Sequence, residues 1–246
     1  MKATLERTAL LKALGHVHRV VERRNTIPIL SNVLIEAKAR QLTLRATDLD
    51  LEATESAPAD VAQEGAITVA AHVLYEIVRK LPEGAQVSLE MTGEAGQMLL
   101  RSGRSRFHLQ SLPASDFPDL AAGDLTHRFS LGAGDLKKLI DNTQFAISTE
   151  ETRYYLNGIY MHTTDVGGAT VLRAVATDGH RLARVEIPAP KGASGMPGVI
   201  VPRKAVSEVQ KLIEDSEAEV TVELSPAKAR FNFGDTVLTT KLIDGT

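Results

Sequence analysis

The chain has no cysteine. Disulfides, thiolate zinc sites, iron–sulfur clusters and cysteine nucleophiles are thereby excluded, and the absence fits an intracellular protein. It has no tryptophan and only 4% aromatic residues, which argues against a single-strand binder that stacks bases on aromatic rings. No apolar run approaches the ~18 residues that span a bilayer, and Glu6, Arg7 and Lys12 interrupt any signal-peptide core at the N-terminus. The phosphate loop G-x-x-x-x-G-K-[ST], the zinc motif H-E-x-x-H and the nucleophile elbow G-x-S-x-G are all missing. What remains is a globular balance: 43% hydrophobic and 24% charged residues, with 28 Lys+Arg against 31 Asp+Glu for a net charge of −3. At ~150 residues per domain, such a length makes one or two domains.

The sequence repeats itself in six blocks that keep their order. Leu5, Leu10, Lys12 and Leu14 match Leu131, Leu136, Lys138 and Ile140. Asn32 matches Asn157, and Ala46-Thr47-Asp48 matches Ala176-Thr177-Asp178. Val69, Glu76, Ile77 and Leu81 then match Val201, Glu208, Val209 and Ile213; residues 87–91 match 220–224; and Leu112 matches Leu242. Two homologous domains are expected, at about 1–120 and 127–246, joined by the small-residue and turn-rich stretch 118–126.

Each unit reads as mixed α+β. Residues 8–23 are helix-periodic, with Leu10, Leu11, Leu14, Val17, Val20 and Val21 on one side. Residues 72–81 make a second helix, ended by Pro82 and Gly84. The corresponding windows in the second unit are 134–147 and 203–213. Strands are expected at 32–37, 41–46, 50–56, 66–69, 87–91, 97–102 and 106–111, with turns at 93–96 and 102–103.

Charge is segregated. Residues 8–24 hold Lys12, Arg19, Arg23 and Arg24 against Glu22, and residues 203–213 hold Arg203, Lys204 and Lys211 against Glu208. The four helix windows sum to +6, which leaves −9 for the rest of the chain. Lys12, His16, Arg19 and Arg23 recur at spacings of 4, 3 and 4, a polar stripe opposite the leucine face. The stripe is either a solvated helix face or part of a surface that several helices turn toward a polyanion.

The most enzyme-like tetrad is Asp178-Gly179-His180-Arg181. No second His/Asp/Glu cluster stands at ligand spacing, so a turn between strands is expected, with Gly179 at positive φ. His and Arg do not recur after Asp48, which gives the second unit a local role that the first lacks. Residues 101–106, RSGRSR, read as a hairpin with exposed arginines, because no helix follows Gly103 to complete a phosphate cradle. Residues 153–157, RYYLN, are expected at a strand start, with one tyrosine packed inward and the other on the surface.

RSGRSRFHLQSLPASDFPD, RYYLNGIY, AVATDGHRLA, VIVPRKAV and TKLIDG strongly resemble the bacterial replicative sliding clamp, the beta subunit of DNA polymerase III. The resemblance runs the length of the sequence. It implies an α+β DNA-clamp fold: tandem repeated domains, each with two helices on antiparallel sheets. It also implies a non-catalytic, cytoplasmic processivity factor without cofactor or metal. In that family three such domains make a chain, and two chains close head to tail as a homodimeric ring around double-stranded DNA. The implied partners are the replicative polymerase alpha subunit, the clamp loader, other polymerases and repair proteins, all docking through clamp-binding peptides, with no membrane involved. Such a tether makes the second encounter with DNA intramolecular.

The resemblance also implies sites. Arg24 falls in the loop after the first helix, where the family contacts DNA; Lys12, Arg19 and Arg23 join it through the stripe, and Arg203 and Lys204 begin a second pore helix. The loop before RYYLN also faces DNA in the family, but Glu150 and Glu151 weaken a phosphate contact there. Leu156, Thr177, Gly179, His180, Arg181 and Leu182 match the domain-two wall of the peptide pocket. Phe107 and Leu109 match the apolar strand of the subunit interface, with Arg104 and Arg106 meeting acids across it. Unit two reaches Thr246 where a counterpart of Phe117-Pro118 is expected, so the sequence reads as the first two of three domains, the third absent. A non-clamp double-stranded DNA binder using the same basic helices, or an enzyme at the Asp178 turn, leaves the tandem repeat unexplained.

Overall fold

The computed structural model describes residues 1–93, 96–120, 123–214 and 219–245. The chain divides into two compact units, Met1–Leu120 and Ala121–Thr246. Unit one opens with β1 (Lys2–Glu6) and α1 (Arg7–Val17). Strands β2 (Asn32–Lys38), β3 (Gln41–Thr47), β4 (Leu51–Pro58), β5 (Asp60–Gln63) and β6 (Gly65–Ala70) follow. After α2 (Ala71–Lys80) come β7 (Gln86–Thr92), β8 (Gln97–Ser102) and β9 (Ser105–Leu112). The strands hydrogen-bond in the order β4-β3-β2-β6-β9-β8-β7-β1-β5.

Unit two repeats the plan: β10 (His127–Gly132) and α3 (Ala133–Asp141), then β11 (Gly158–Val166), β12 (Ala169–Thr177), β13 (Leu182–Pro188) and β14 (Val199–Pro202). It ends with α4 (Arg203–Glu214), β15 (Glu219–Leu224), β16 (Lys228–Asn232) and β17 (Thr236–Lys241). Its strands form the ladders β13-β12-β11-β14 and β10-β15-β16-β17. Among the described residues only β5 lacks a counterpart.

Strand pairing refines the repeat. Val33 lies opposite Val69 and Ile159 opposite Val201, so Asn32 corresponds to Gly158 and not to Asn157. Leu112 lies opposite Thr68 and Ile243 opposite Ile200, so Leu112 corresponds to Ile243 and not to Leu242. One-residue matches in sequence carry no register; the ladders do.

Alternation along the strands sets the two cores. Val33, Ile35, Leu42 and Leu44 are buried with Leu10 and Leu14 of α1 and Leu74 and Val78 of α2. In unit two, Ile159, Met161, Leu172 and Ala174 are buried with Leu136 and Leu139 of α3 and Val206 and Val209 of α4. Each fully buried leucine contributes about 1.5–3 kcal/mol. Within each unit the two helices pack side by side.

Three expectations change. The first helix ends at Val17 and passes into a 3-10 turn, His18–Val20. The Leu14 carbonyl accepts both the His18 backbone N–H and, at 2.7 Å, His18 Nδ1, and the β-branched Val20-Val21 pair beyond disfavours a further helical turn. The third helix stops at Asp141, where the Thr143 hydroxyl donates to the Leu139 carbonyl at 2.6 Å. Residues 153–156 belong to a 3-10 segment, Glu151–Leu156, ahead of β11, and both tyrosines are exposed, Tyr154 by 59% and Tyr155 by 49%. The turn at 93–96 and the linker at 121–122 fall in part outside the described residues.

Candidate nucleic-acid interface and partner pocket

The basic stripe does not survive as one helix face. Lys12 is exposed on α1, but His16 is 8% exposed and its Nδ1 lies 2.9 Å from Glu55 Oε2. Arg19 is half-buried in the 3-10 turn, and Arg23 and Arg24 are exposed in the loop beyond it. Glu55 holds His16 inward, and the early end of α1 takes Arg19, Arg23 and Arg24 off the helix. Arg203 opens α4 in an exposed position, with Lys204 half-buried behind it. Arg79, Lys137 and Lys211 are each engaged at 2.7 Å by a carboxylate on their own helix, Glu76, Asp141 and Glu208 respectively. The Arg79 and Lys137 pairs are exposed and contribute little to stability.

In unit two, a cavity of about 440 Å³ opens where the 3-10 segment meets the ends of the strands. Tyr154, Tyr155 and Leu156 line it together with Val175, Ala176 and Thr177 of β12. Gly158 and Tyr160 of β11, Ile200 of β14, and Asp244 and Gly245 complete the lining. Gly158 is the only residue type that fits its place, since a Cβ there would stand 2.3 Å from the Val201 carbonyl oxygen.

Of the six residues expected at the pocket, Leu156 and Thr177 line the cavity; Gly179, His180 and Arg181 form the turn that continues from it, and Leu182 opens β13. The Thr177 hydroxyl donates to the Arg181 carbonyl at 2.7 Å and accepts the Gly179 N–H at 3.1 Å. Asp178 Oδ1 accepts the N–H groups of His180 and Arg181, each at 3.0 Å. Arg181 Nε donates to Asp178 Oδ2 at 2.9 Å. These donors, the His180 N–H foremost, hold the Asp178 carboxyl down to about 2. Gly179 has φ +90°, and a Cβ on it would stand 2.7 Å from Arg153 Nη1. Glycine adopts this left-handed conformation without the steric cost of a Cβ.

Arg181 also lies over the Phe145 ring, 5.5 Å from its centroid. Leu182 is 65% exposed. With Tyr154, Tyr155 and Phe145 it gives unit two an open apolar surface beside the cavity. Sequence reasoning missed Tyr154, Tyr155, Tyr160, Val175 and Ile200. Cross-strand pairing brings the last three together: Tyr160, 41% exposed, lies opposite both Val175 and Ile200.

In unit one, only Ser111 and Leu112 of β9 pair with β6. Residues 105–110 therefore leave one strand edge without a partner strand among the described residues. Arg104 and Arg106 are exposed there. Phe107 is half-buried and lines a cavity of about 570 Å³ with Val73 and Ile77 of α2. Leu109, by contrast, is 6% exposed and belongs to the unit's own core. Among the described residues no group of three His, Asp or Glu could hold a metal ion, and no helix is long and apolar enough to cross a membrane.

Two helix-backed antiparallel domains in tandem define a clamp-type α+β protein. The family model for the N-terminal domain of the DNA polymerase III beta subunit matches residues 1–121, and the model for its central domain matches residues 130–246. The Beta sliding clamp of Caulobacter vibrioides is 57% identical over 245 residues, covering all of this chain and 66% of its own length. The solved structure of Caulobacter crescentus pol III beta superposes with a TM-score of 0.98 at 57% identity, over all of this chain and 67% of that one. A sliding clamp from Bartonella birtlesii, solved bound to griselimycin, gives 0.96 at 55% identity over all of this chain and 66% of that one. The chain belongs to the DNA polymerase III beta subunit family and carries its N-terminal and central domains. It spans about two thirds of the length of the relatives it matches.

Proposed function

We propose that this chain serves, within a three-domain clamp of its family, as a non-catalytic processivity factor of DNA polymerase III in the cytoplasm. The observation that carries the reading is the tandem repeat of helix-backed domains with cationic helix ends in an acidic chain. Lys12, Arg19, Arg23, Arg24, Arg203 and Lys204 supply a salt-screened, sequence-independent attraction to the phosphates of an encircled duplex. The cavity at Leu156 and Thr177, with the turn through Gly179, His180, Arg181 and Leu182, receives extended apolar peptides of the polymerase alpha subunit, the clamp loader and repair proteins. The open β9 edge, with Arg104, Arg106 and Phe107, meets the neighbouring subunit of a head-to-tail homodimer.

The test is salt-dependent DNA association of full-length clamp in which Arg23, Arg24, Arg203 and Lys204 are replaced by alanine. Binding should weaken equally for all sequences, and the log–log salt slope should flatten by roughly 0.9 for each phosphate no longer neutralised. A change in sequence preference would instead indicate base readout and refute the clamp reading. Retention on circular DNA with loss from linear ends separates an encircling ring from a plain duplex binder.

A further inference from the structure

Strand register maps the unit-two pocket onto unit one. Tyr160 falls on Leu34, Val175 on Arg45, Thr177 on Thr47, Leu182 on Glu52 and Ile200 on Thr68. The two faces share a scaffold and differ in exposure: Tyr160 and Leu182 are 41% and 65% exposed, Leu34 and Glu52 only 3% and 8%. In unit one the chain that leaves β9 returns to this face. The Arg45 guanidinium lies 5.5 Å from the centroid of the Phe117 ring and 3.3 Å from Asp119 Oδ1. Leu120 donates its N–H to Glu52 Oε2 at 3.4 Å. Phe117 is 7% exposed. The root of the segment is pinned as well: the Thr68 hydroxyl donates to the Leu112 carbonyl at 2.7 Å and accepts from Asn32 Nδ2 at 3.0 Å.

We propose that this face of unit one is a second peptide groove, occupied in cis by residues 113–120, whose ligand class is a peptide that enters through a 3-10 turn, as Ala114–Asp116 does, and carries an aromatic residue followed two positions later by a carboxylate. The inference rests on reading the unit-two cavity as a peptide pocket, from which it takes the equivalence of position. One side chain, Arg45, reads both ligand features, because a planar guanidinium lies over a ring and pairs with a carboxylate. Glu52 accepts a ligand backbone N–H. A segment tethered this closely acts at an effective concentration on the order of millimolar, enough to exclude free peptides. Two copies of the scaffold therefore leave one pocket open. The preferences of the two grooves differ because Val175 and Leu182 stand where unit one has Arg45 and Glu52.

The test uses the full chain carrying Phe117→Ser and Asp119→Ser, with a fluorescein-labelled peptide of residues 113–120 supplied in trans. Saturable binding is expected, about tenfold or more tighter than to the unsubstituted chain. It should be lost on adding Arg45→Ala and kept on adding Leu156→Asp. Equal binding to the released and unsubstituted chains, no binding to either, indifference to Arg45→Ala, or loss with Leu156→Asp each overturns the proposal. If circular dichroism shows the released chain unfolded, Arg45→Ala alone takes its place. Amide exchange at Leu120 should then quicken by about tenfold or more while the unit-two strands keep theirs; unchanged exchange overturns the proposal. Failure of the unit-two pocket itself shows separately, as binding of a polymerase-tail peptide that ignores Leu156→Asp.

Discussion

The turn after β3 and the turn after β12 are the same device with opposite outcomes. In both, a threonine hydroxyl donates to the carbonyl four residues on, Thr47 to Leu51 at 2.9 Å and Thr177 to Arg181 at 2.7 Å. In both, the next aspartate accepts two successive backbone N–H groups, those of Asp50 and Leu51 or of His180 and Arg181. The third residue is left-handed in each, Leu49 at φ +81° and Gly179 at φ +90°. The strands they lead into differ. Unit one continues with Leu51 and Glu52, 2% and 8% exposed, whereas unit two continues with an exposed Arg181 and with Leu182 at 65%. Side chain-to-backbone hydrogen bonds build the turn; the two side chains that follow decide whether it closes onto the domain's own surface or stays open.

The sharpest way to break this comparison is at a register position shared by the two units. Phe107 pairs with Leu100 and Leu238 with Phe231, the same place in each ladder, yet Phe107 is half-buried and Leu238 is 0% exposed. Leu238→Asp buries an unpaired carboxylate and should unfold unit two, on the order of 4 kcal/mol or more in urea denaturation. Phe107→Asp should leave both units folded and, in full-length protein, shift the dimer to monomer by light scattering.

At the pocket, Leu156→Asp with Leu182→Asp sets carboxylates against the apolar side chains of a bound peptide. The cost should be on the order of 2 kcal/mol, about thirtyfold in Kd by fluorescence anisotropy, and Leu182→Asp alone should leave the melting temperature nearly unchanged because Leu182 is so exposed.

The left-handed residues should respond in opposite directions. Leu49→Gly relieves an unfavourable backbone and should stabilise unit one by up to about 1 kcal/mol. Gly179→Ala introduces the same strain, costing about 1–2 kcal/mol, and displaces the Arg153 guanidinium at the pocket rim, whose Nη1 lies 2.7 Å from the new Cβ. Equal effects of the two substitutions in one direction would mean that the turns are not equivalent.

The smallest effect is on acid response. The folded-state pKa of Asp178 is about 2, below its ordinary 3.8. Its ionised form therefore supports the turn fully above pH 4, and that support is lost as the pH falls through about 2. A carbon-detected NMR titration of the Asp178 carboxyl should show this midpoint, and Asp178→Asn should remove the acid-dependent step.

Much of the architecture was legible from one sequence. The tandem repeat, the α+β pattern, the hairpin at Gly103 and the turn at Asp178 came from periodicity and turn chemistry. The family resemblance supplied Leu156, Thr177 and the turn residues together. The ends of α1 and α3 were not legible, because apolar periodicity runs on past both; α3 stops where the Thr143 hydroxyl bonds the Leu139 carbonyl, and α1 gives way to a 3-10 turn at His18. Tyr160, Val175 and Ile200 were missed because apolar residues in separate strands read as noise until cross-strand neighbours line them up.

The sequence by itself determined the repeat, the alternation that sends Ile159 and Met161 inward and Tyr160 outward, and the turn bonds of Thr47, Asp48, Thr177 and Asp178, since each depends on residues close along the chain. Register was decided only in three dimensions, where the ladders match Asn32 to Gly158 rather than to Asn157. So was the fate of the two equivalent faces. His16 left the basic stripe because Glu55, distant in sequence, lies beside it. Arg45 is covered because Phe117 and Asp119 fold back onto it. Pairings between remote residues depend on which strands become neighbours, and composition and periodicity contain no term for that.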